Sequence, residues 1–128
     1  MEKVKILVVD DDPEISLLIK IILQKENKDF DIITANDGSY ALEKVISEKP
    51  DLVLLDVDMP EINGLEVLDR IKDNPATKRI PVIMVTAKSN ARDFEEAMEK
   101  KADWYIVKPF KQDHLLEKIK YLLEKKSQ

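Results

Sequence analysis

An α/β fold built on a five-stranded parallel sheet is predicted by three features of the sequence. Five short aliphatic runs recur at nearly even spacing: Val4 to Val9, Phe30 to Ala35, Leu52 to Leu55, Ile80 to Val85 and Trp104 to Val107. The first, third and fourth are almost continuously apolar, as expected of parallel strands covered on both faces. Segments of helical periodicity separate the runs. Alternation of this kind, repeated five times, leads to a doubly wound, flavodoxin-like sheet with right-handed crossovers in the common strand order 2-1-3-4-5.

Each helix carries its own apolar stripe. Ile15, Leu18, Ile19, Ile22 and Leu23 form the first, headed by Asp12 as N-cap and Pro13 at the first helical position. Ala41, Leu42, Val45 and Ile46 form the second, and Leu65, Leu68 and Ile71 the third. The chain has two glycines, Gly38 and Gly64, each placed where a helix begins after a loop. The fourth helix, expected over Asn90 to Lys101, offers only Ala91, Phe94, Ala97 and Met98 as apolar residues among a crowd of charges. It is expected to be the most weakly held, because helices in proteins draw their stability mainly from tertiary packing. Leu115, Leu116, Ile119, Leu122 and Leu123 give the last helix the clearest periodicity of the five.

Composition narrows the function. A length of 128 residues suits one domain, so residues 1–128 are expected to form a single unit with no second domain. The net charge of −5 argues against a nucleic-acid surface held by phosphate contacts. With no cysteine and one histidine, thiolate chemistry and imidazole-based metal sites are excluded. His114, near the start of the last helix, is expected to face solvent. No signal-peptide core or membrane-length apolar run is visible, so a cytoplasmic location is expected.

The chemistry collects at the strand ends. Open parallel sheets bind ligands beyond the carboxyl ends of their strands, where strand order reverses. Asp10, Asp11 and Asp12 follow the first run, Asp56 and Asp58 the third, Thr86 the fourth, and Lys108-Pro109 the fifth. In the order 2-1-3-4-5, Asp10, Asp11 and Asp56 converge in one depression. Crowded carboxylates repel one another and call for a cation. A hard divalent ion with oxygen ligands suits them, Mg²⁺ best, since it keeps positions open for water and phosphate. Lys108, the Thr86 hydroxyl and the backbone N–H of Ala87 complete a site shaped for a phosphoryl group.

The segments "ILVVDDDP", "DLVLLDVDMPEINGLEVL", "PVIMVTAK" and "WYIVKPF", in that order, resemble the receiver domain of two-component response regulators across essentially the whole chain. The resemblance implies that Asp56 accepts a phosphoryl group from a sensor histidine kinase or phosphotransfer protein. It implies that Asp11 binds Mg²⁺ directly, Asp10 through water, and Asp58 through its backbone carbonyl. Thr86 and Lys108 would hold the phosphoryl oxygens, Tyr105 would be the rotating aromatic of the switch, and Lys108-Pro109 would be cis. Phosphorylation would then reshape the surface of the fourth helix, fifth strand and fifth helix for a downstream effector.

A monomer is expected, with dimerisation on phosphorylation as the alternative, and no direct contact with nucleic acid or membrane. The protein would act on no substrate beyond its own phosphorylation and dephosphorylation. Three departures from the family pattern stand out. Lys101 occupies a position where glycine is frequent, Asn63 replaces the usual aspartate before Gly64, and Asp58 and Lys88 fall where the family's hydrolytic water passes. Trp104 either covers the sheet edge or contacts a partner. Two other readings compete. One is a phosphatase or phosphotransferase of the haloacid-dehalogenase type, which the Asp56-Val57-Asp58 spacing mimics; the other is a degenerate receiver used only as a binding module.

Overall fold

The computed structural model describes residues 3–126, so Met1, Glu2, Ser127 and Gln128 of the expected 1–128 unit lie outside the described residues. The elements follow as β1 (Lys5–Val9), α1 (Pro13–Glu26), β2 (Asp31–Ala35), α2 (Gly38–Glu48), β3 (Leu52–Leu55), α3 (Gly64–Asp73), β4 (Val82–Thr86), α4 (Ala91–Glu99), β5 (Trp104–Val107) and α5 (Gln112–Lys126). All strand pairs are parallel and the order is β2-β1-β3-β4-β5, as the alternation predicts.

Successive strand residues face opposite sides, which divides the interior into two cores. Leu7, Val9, Val53, Leu55, Val82 and Met84 pack with α2, α3 and Ala97 of α4. Ile6, Val8, Leu52, Leu54, Ile83 and Val85 pack with α1 and α5. β4 starts two residues later than its apolar run and includes Thr86. Pro81 has no N–H to give the ladder, although its carbonyl accepts from Val53 at 3.0 Å.

The helix caps follow the sequence chemistry. Asp12 accepts the Glu14 N–H at 2.9 Å ahead of Pro13. Asn63 accepts the Glu66 N–H at 3.0 Å, so asparagine caps α3 as an aspartate would. Several expected core residues are instead exposed: Leu18 on α1, Ile46 on α2, and Phe94 and Met98 on α4. The stripes are wider than the strips of sheet they cover. α4 buries Ala97 alone, whereas α3 buries five residues. α4 is shorter than the expected Asn90 to Lys101, running over Ala91–Glu99 with Asn90 as its N-cap and Lys100 as its C-cap.

Beyond Lys100 the chain closes in a Schellman motif. The Lys101 N–H donates to Met98 O and the Ala102 N–H to Ala97 O, both at 3.0 Å. Lys101 therefore adopts φ 71°, the left-handed geometry that glycine would take without strain. Lys101→Gly is expected to raise the unfolding free energy by about 1 kcal/mol, less the entropy glycine adds to the unfolded chain. Urea denaturation reads this directly, and a destabilised variant would contradict it.

Candidate functional site

The sheet's hydrogen bonds run one residue past the strand ends, and these last bonds position the chemistry. Asp10 N–H donates to Ala35 O at 3.1 Å, Asp56 N–H to Val9 O at 3.0 Å, and Lys108 N–H to Thr86 O at 2.8 Å. Three reactive side chains are thus set by the sheet rather than by loops, which gives them a narrow range of positions. They border an open cleft of about 630 Å³, also lined by Asp11, Asp12, Ile15, Asp58, Met59, Pro60 and Ala87. The Lys108-Pro109 bond is cis.

Asp10 and Asp56 are buried, at 2% and 6% exposure, while Asp11 stands out in the cleft. The Lys108 ammonium lies 2.6 Å from Asp10 Oδ2 and 3.4 Å from Asp56 Oδ2. Its stronger partner is therefore Asp10, whereas the expected role joined it to phosphoryl oxygens. Burial pushes the Asp56 carboxyl above its ordinary range; Lys108 opposes this, Asp10 adds to it, and the Thr86 hydroxyl and Asp58 N–H oppose it further. Burial acts to lower Lys108, but its bond to Asp10 and the charges of Asp56 and Asp10 outweigh that and raise it. Lys108 thus remains charged at neutral pH, and Asp56 is a carboxylate short of positive partners.

Asp10, Asp11 and Asp56 offer carboxylate oxygens that all lie within 4.8 Å of one another. Such an all-oxygen set, next to a carboxyl already destabilised in its charged form, fits a hard divalent cation. The Asp58 carboxylate does not join this cluster. It lies 3.7 Å from Lys88 Nζ at the mouth of the cleft, while the Asp58 backbone N–H donates to Asp56 Oδ1 at 3.3 Å.

Two sequence-predicted residues sit one layer back. Thr86 is fully buried and its Oγ1 accepts the Lys88 N–H at 3.1 Å. Tyr105 is half-buried, with its hydroxyl donating to Lys88 O at 2.7 Å and its ring edge-on to Phe94 at 5.5 Å. The ring is already turned inward. His114 is exposed, as expected. Trp104 is 40% exposed, with the Lys118 ammonium 4.1 Å above one face of its ring.

Sequence reasoning missed the residues that hold Asp10. The Asn36 amide donates to Asp10 O at 3.0 Å and the buried Ser16 hydroxyl to the same oxygen at 3.4 Å. Ser16 had a visible signal, since it is a small polar residue between Ile15 and Leu17 in an apolar stretch. Asn36 had none.

The response regulator receiver domain family model matches residues 6–120. "Response regulator ArlR" of Staphylococcus saprophyticus is 42% identical over 97% of this chain and 54% of its own length. "DNA-binding response regulator MtrA" of Mycolicibacterium smegmatis is 39% identical over 94% of this chain and 51% of its own. The chain thus spans about half the length of the curated relatives it matches. Among solved structures, a CheY-like response regulator receiver domain protein from Methanospirillum hungatei is similar at a TM-score of 0.90, with 31% identity over 98% of this chain and 97% of that one. A response regulator from Chloroflexus aurantiacus gives a TM-score of 0.89 at 28% identity, over 95% and 98% of the two chains. Neither the dehalogenase-like reading nor the binding-module reading is favoured by these matches. Fold, strand-end carboxylates and relatives agree, and this chain belongs to the response regulator receiver domains of two-component systems.

Proposed function

We propose that Asp56 is the phosphoacceptor, taking a phosphoryl group from the phosphohistidine of a sensor kinase or phosphotransfer protein. The observation that supports this best is a buried carboxylate at the floor of an open acidic cleft, 3.4 Å from a buried-side lysine ammonium. An Asp56 oxygen bonds to phosphorus as the P–N bond breaks, and the electron pair returns to the imidazole nitrogen. Lys108 neutralises charge on the transferring oxygens, and the Thr86 hydroxyl and Ala87 N–H donate to them. Mg²⁺, held by Asp10, Asp11, Asp56 and the Asp58 carbonyl, would supply further charge neutralisation at those oxygens.

The readout follows from the weak packing of α4. If Thr86 turns toward the phosphoryl group, Tyr105 loses or shifts its support through Lys88, and α4 and β5 adjust together. Phe94, Met98, Trp104 and Val107 present exposed apolar surface there for an effector. A monomer in the cytoplasm would leave this surface free, with dimerisation on phosphorylation as the alternative. Among the described residues no helix is long and apolar enough to cross a membrane.

Incubation with acetyl phosphate and Mg²⁺ is expected to add one phosphoryl group, and Asp56→Asn to abolish the addition. Equal labelling of wild type and variant by intact-mass spectrometry would move the acceptor elsewhere. A second measurement concerns the cation. Mg²⁺ at about 100 times its dissociation constant is expected to stabilise the fold by roughly 2.7 kcal/mol. Asp11→Ala should remove that gain in Tm, and a gain of the same size in the variant would refute the ligand set.

A further inference from the structure

Asp10 sits where the sheet ends and the cleft begins. Pairing of β1 with β2 closes with Val9 opposite Ala35, and the Asp10 N–H then donates to Ala35 O at 3.1 Å. Beyond that point the chain turns toward α2, whose N-cap Asp37 accepts the Tyr40 N–H at 2.7 Å. Side chains take over from the ladder. Asn36 Nδ2 donates to Asp10 O at 3.0 Å, and the buried Ser16 Oγ donates to the same oxygen at 3.4 Å. That oxygen belongs to the peptide joining Asp10 to Asp11. Two donors, one from the β2–α2 loop and one from α1, fix the plane of that peptide.

The chain is held on the far side of Asp11 as well. Asp12 donates its N–H to Asp10 Oδ1 at 2.9 Å, and its carbonyl accepts the N–H groups of Ile15 and Ser16, both at 3.1 Å. Asp11, between them, carries its carboxylate into the open cleft. Its aim is set by the main chain on either side, unlike that of Asp10 and Asp56, which are buried and share the Lys108 ammonium.

We propose that Asn36, supported by Ser16, is a positioning residue that holds Asp11 still and thereby makes the cleft choose Mg²⁺ over Ca²⁺. The inference rests on the reading of Asp10, Asp11 and Asp56 as cation ligands and adds the choice of ion.

Rigidity selects between the two ions. Mg²⁺ requires near-octahedral oxygen geometry at about 2.0–2.1 Å, whereas Ca²⁺ accepts about 6–8 oxygens at roughly 2.3–2.6 Å in adaptable arrangements. Carboxylate oxygens of the three aspartates lie within 4.8 Å of one another. A fixed Asp11 keeps that set compact, whereas a loose one retreats to suit the larger ion. Of the three, Asp11 alone is exposed, so the freedom of its backbone governs the fit. Asn36 is itself exposed, which limits its bond to the net worth of an ordinary one, about fivefold in an equilibrium constant.

The test is isothermal titration calorimetry of wild type, Asn36→Ala and Ser16→Ala with Mg²⁺ alone and with Ca²⁺ alone, at neutral pH. Asn36→Ala is expected to weaken Mg²⁺ binding about fivefold and Ca²⁺ binding by less than about twofold, so that the preference for Mg²⁺ falls. Ser16→Ala, which removes the longer of the two bonds, should shift the preference the same way by a smaller factor. Thermal denaturation in EDTA confirms that each variant folds before titration. Both substitutions leave the charge of the cleft unchanged, and a merely structural loss would weaken both ions together. Equal weakening of the two ions, or an unchanged Mg²⁺ affinity in Asn36→Ala, overturns the positioning role and leaves the cation reading intact. A wild type that binds neither ion defeats the cation reading, and the positioning role with it.

Discussion

Lys108→Ala is expected to lower the unfolding free energy by about 3 kcal/mol at neutral pH, the range for breaking a buried ion pair by removing one partner. The variant leaves Asp10 and Asp56, both buried, without the ammonium now 2.6 Å and 3.4 Å from them. The loss should depend on pH in a definite direction. In the wild type, Lys108 is raised, so its stabilising charge is present at neutral pH and is lost only as pH climbs through its elevated folded value. Asp56 is raised by burial, so its ionisation costs stability as pH rises from the ordinary carboxylate range through its folded value. Without Lys108 that cost grows. The gap between variant and wild type should therefore narrow as pH falls through the raised folded value of Asp56 into the ordinary carboxylate range, where its charge is lost. Urea denaturation across pH checks this, and a gap independent of pH would refute the pairing. Phosphorylation by acetyl phosphate should also fall by about 100-fold, the scale for losing one preorganised charge-stabilising group.

Gly64→Ala is expected to cost about 3 kcal/mol, in the upper range for forced overpacking, and to lower Tm by roughly 10 °C. A Cβ at Gly64 would collide with the Asp56 carbonyl oxygen and sit 2.9 Å from Val57 Cα. These are backbone atoms, so no side chain can move aside. The Gly64 N–H also donates to Val57 O at 2.8 Å, locking α3 against the segment that carries Asp56. Its φ is not positive; the glycine is required for closeness, not for an unusual backbone conformation. The substitution must push Asp56 out of register with Asp10, so metal affinity should fall alongside Tm. Thermal denaturation with and without Mg²⁺ measures both. A stable Gly64→Ala protein with an undiminished Mg²⁺ response would show that the helix can shift without moving Asp56.

Some of the molecule was legible because short-range rules govern it. The alternation of apolar runs and helical stripes specified element order, and the two cores follow from alternating side chains on each strand. Asp12 caps α1 ahead of Pro13, as its sequence suggested, because capping needs only the next few residues. Lys101 is instructive in the other direction. Its departure from glycine left the turn's geometry open, and the structure keeps the left-handed turn with a strained residue.

What the sequence determined alone is the parallel α/β architecture and the set of charged residues ending its strands, since a carboxylate after an apolar run must emerge at the sheet's carboxyl edge. Tertiary structure decided which of them touch: that Lys108 binds Asp10 more closely than Asp56, that Asn36 and Ser16 hold Asp10, and that Lys88 joins Asp58, Thr86 and Tyr105. It also decided that Phe94 and Met98 stay exposed. The physical reason is distance in the chain. Contacts between residues 52 or 98 positions apart depend on strand register and loop path, which arise only when the whole sheet closes, and no local pattern of residues encodes them.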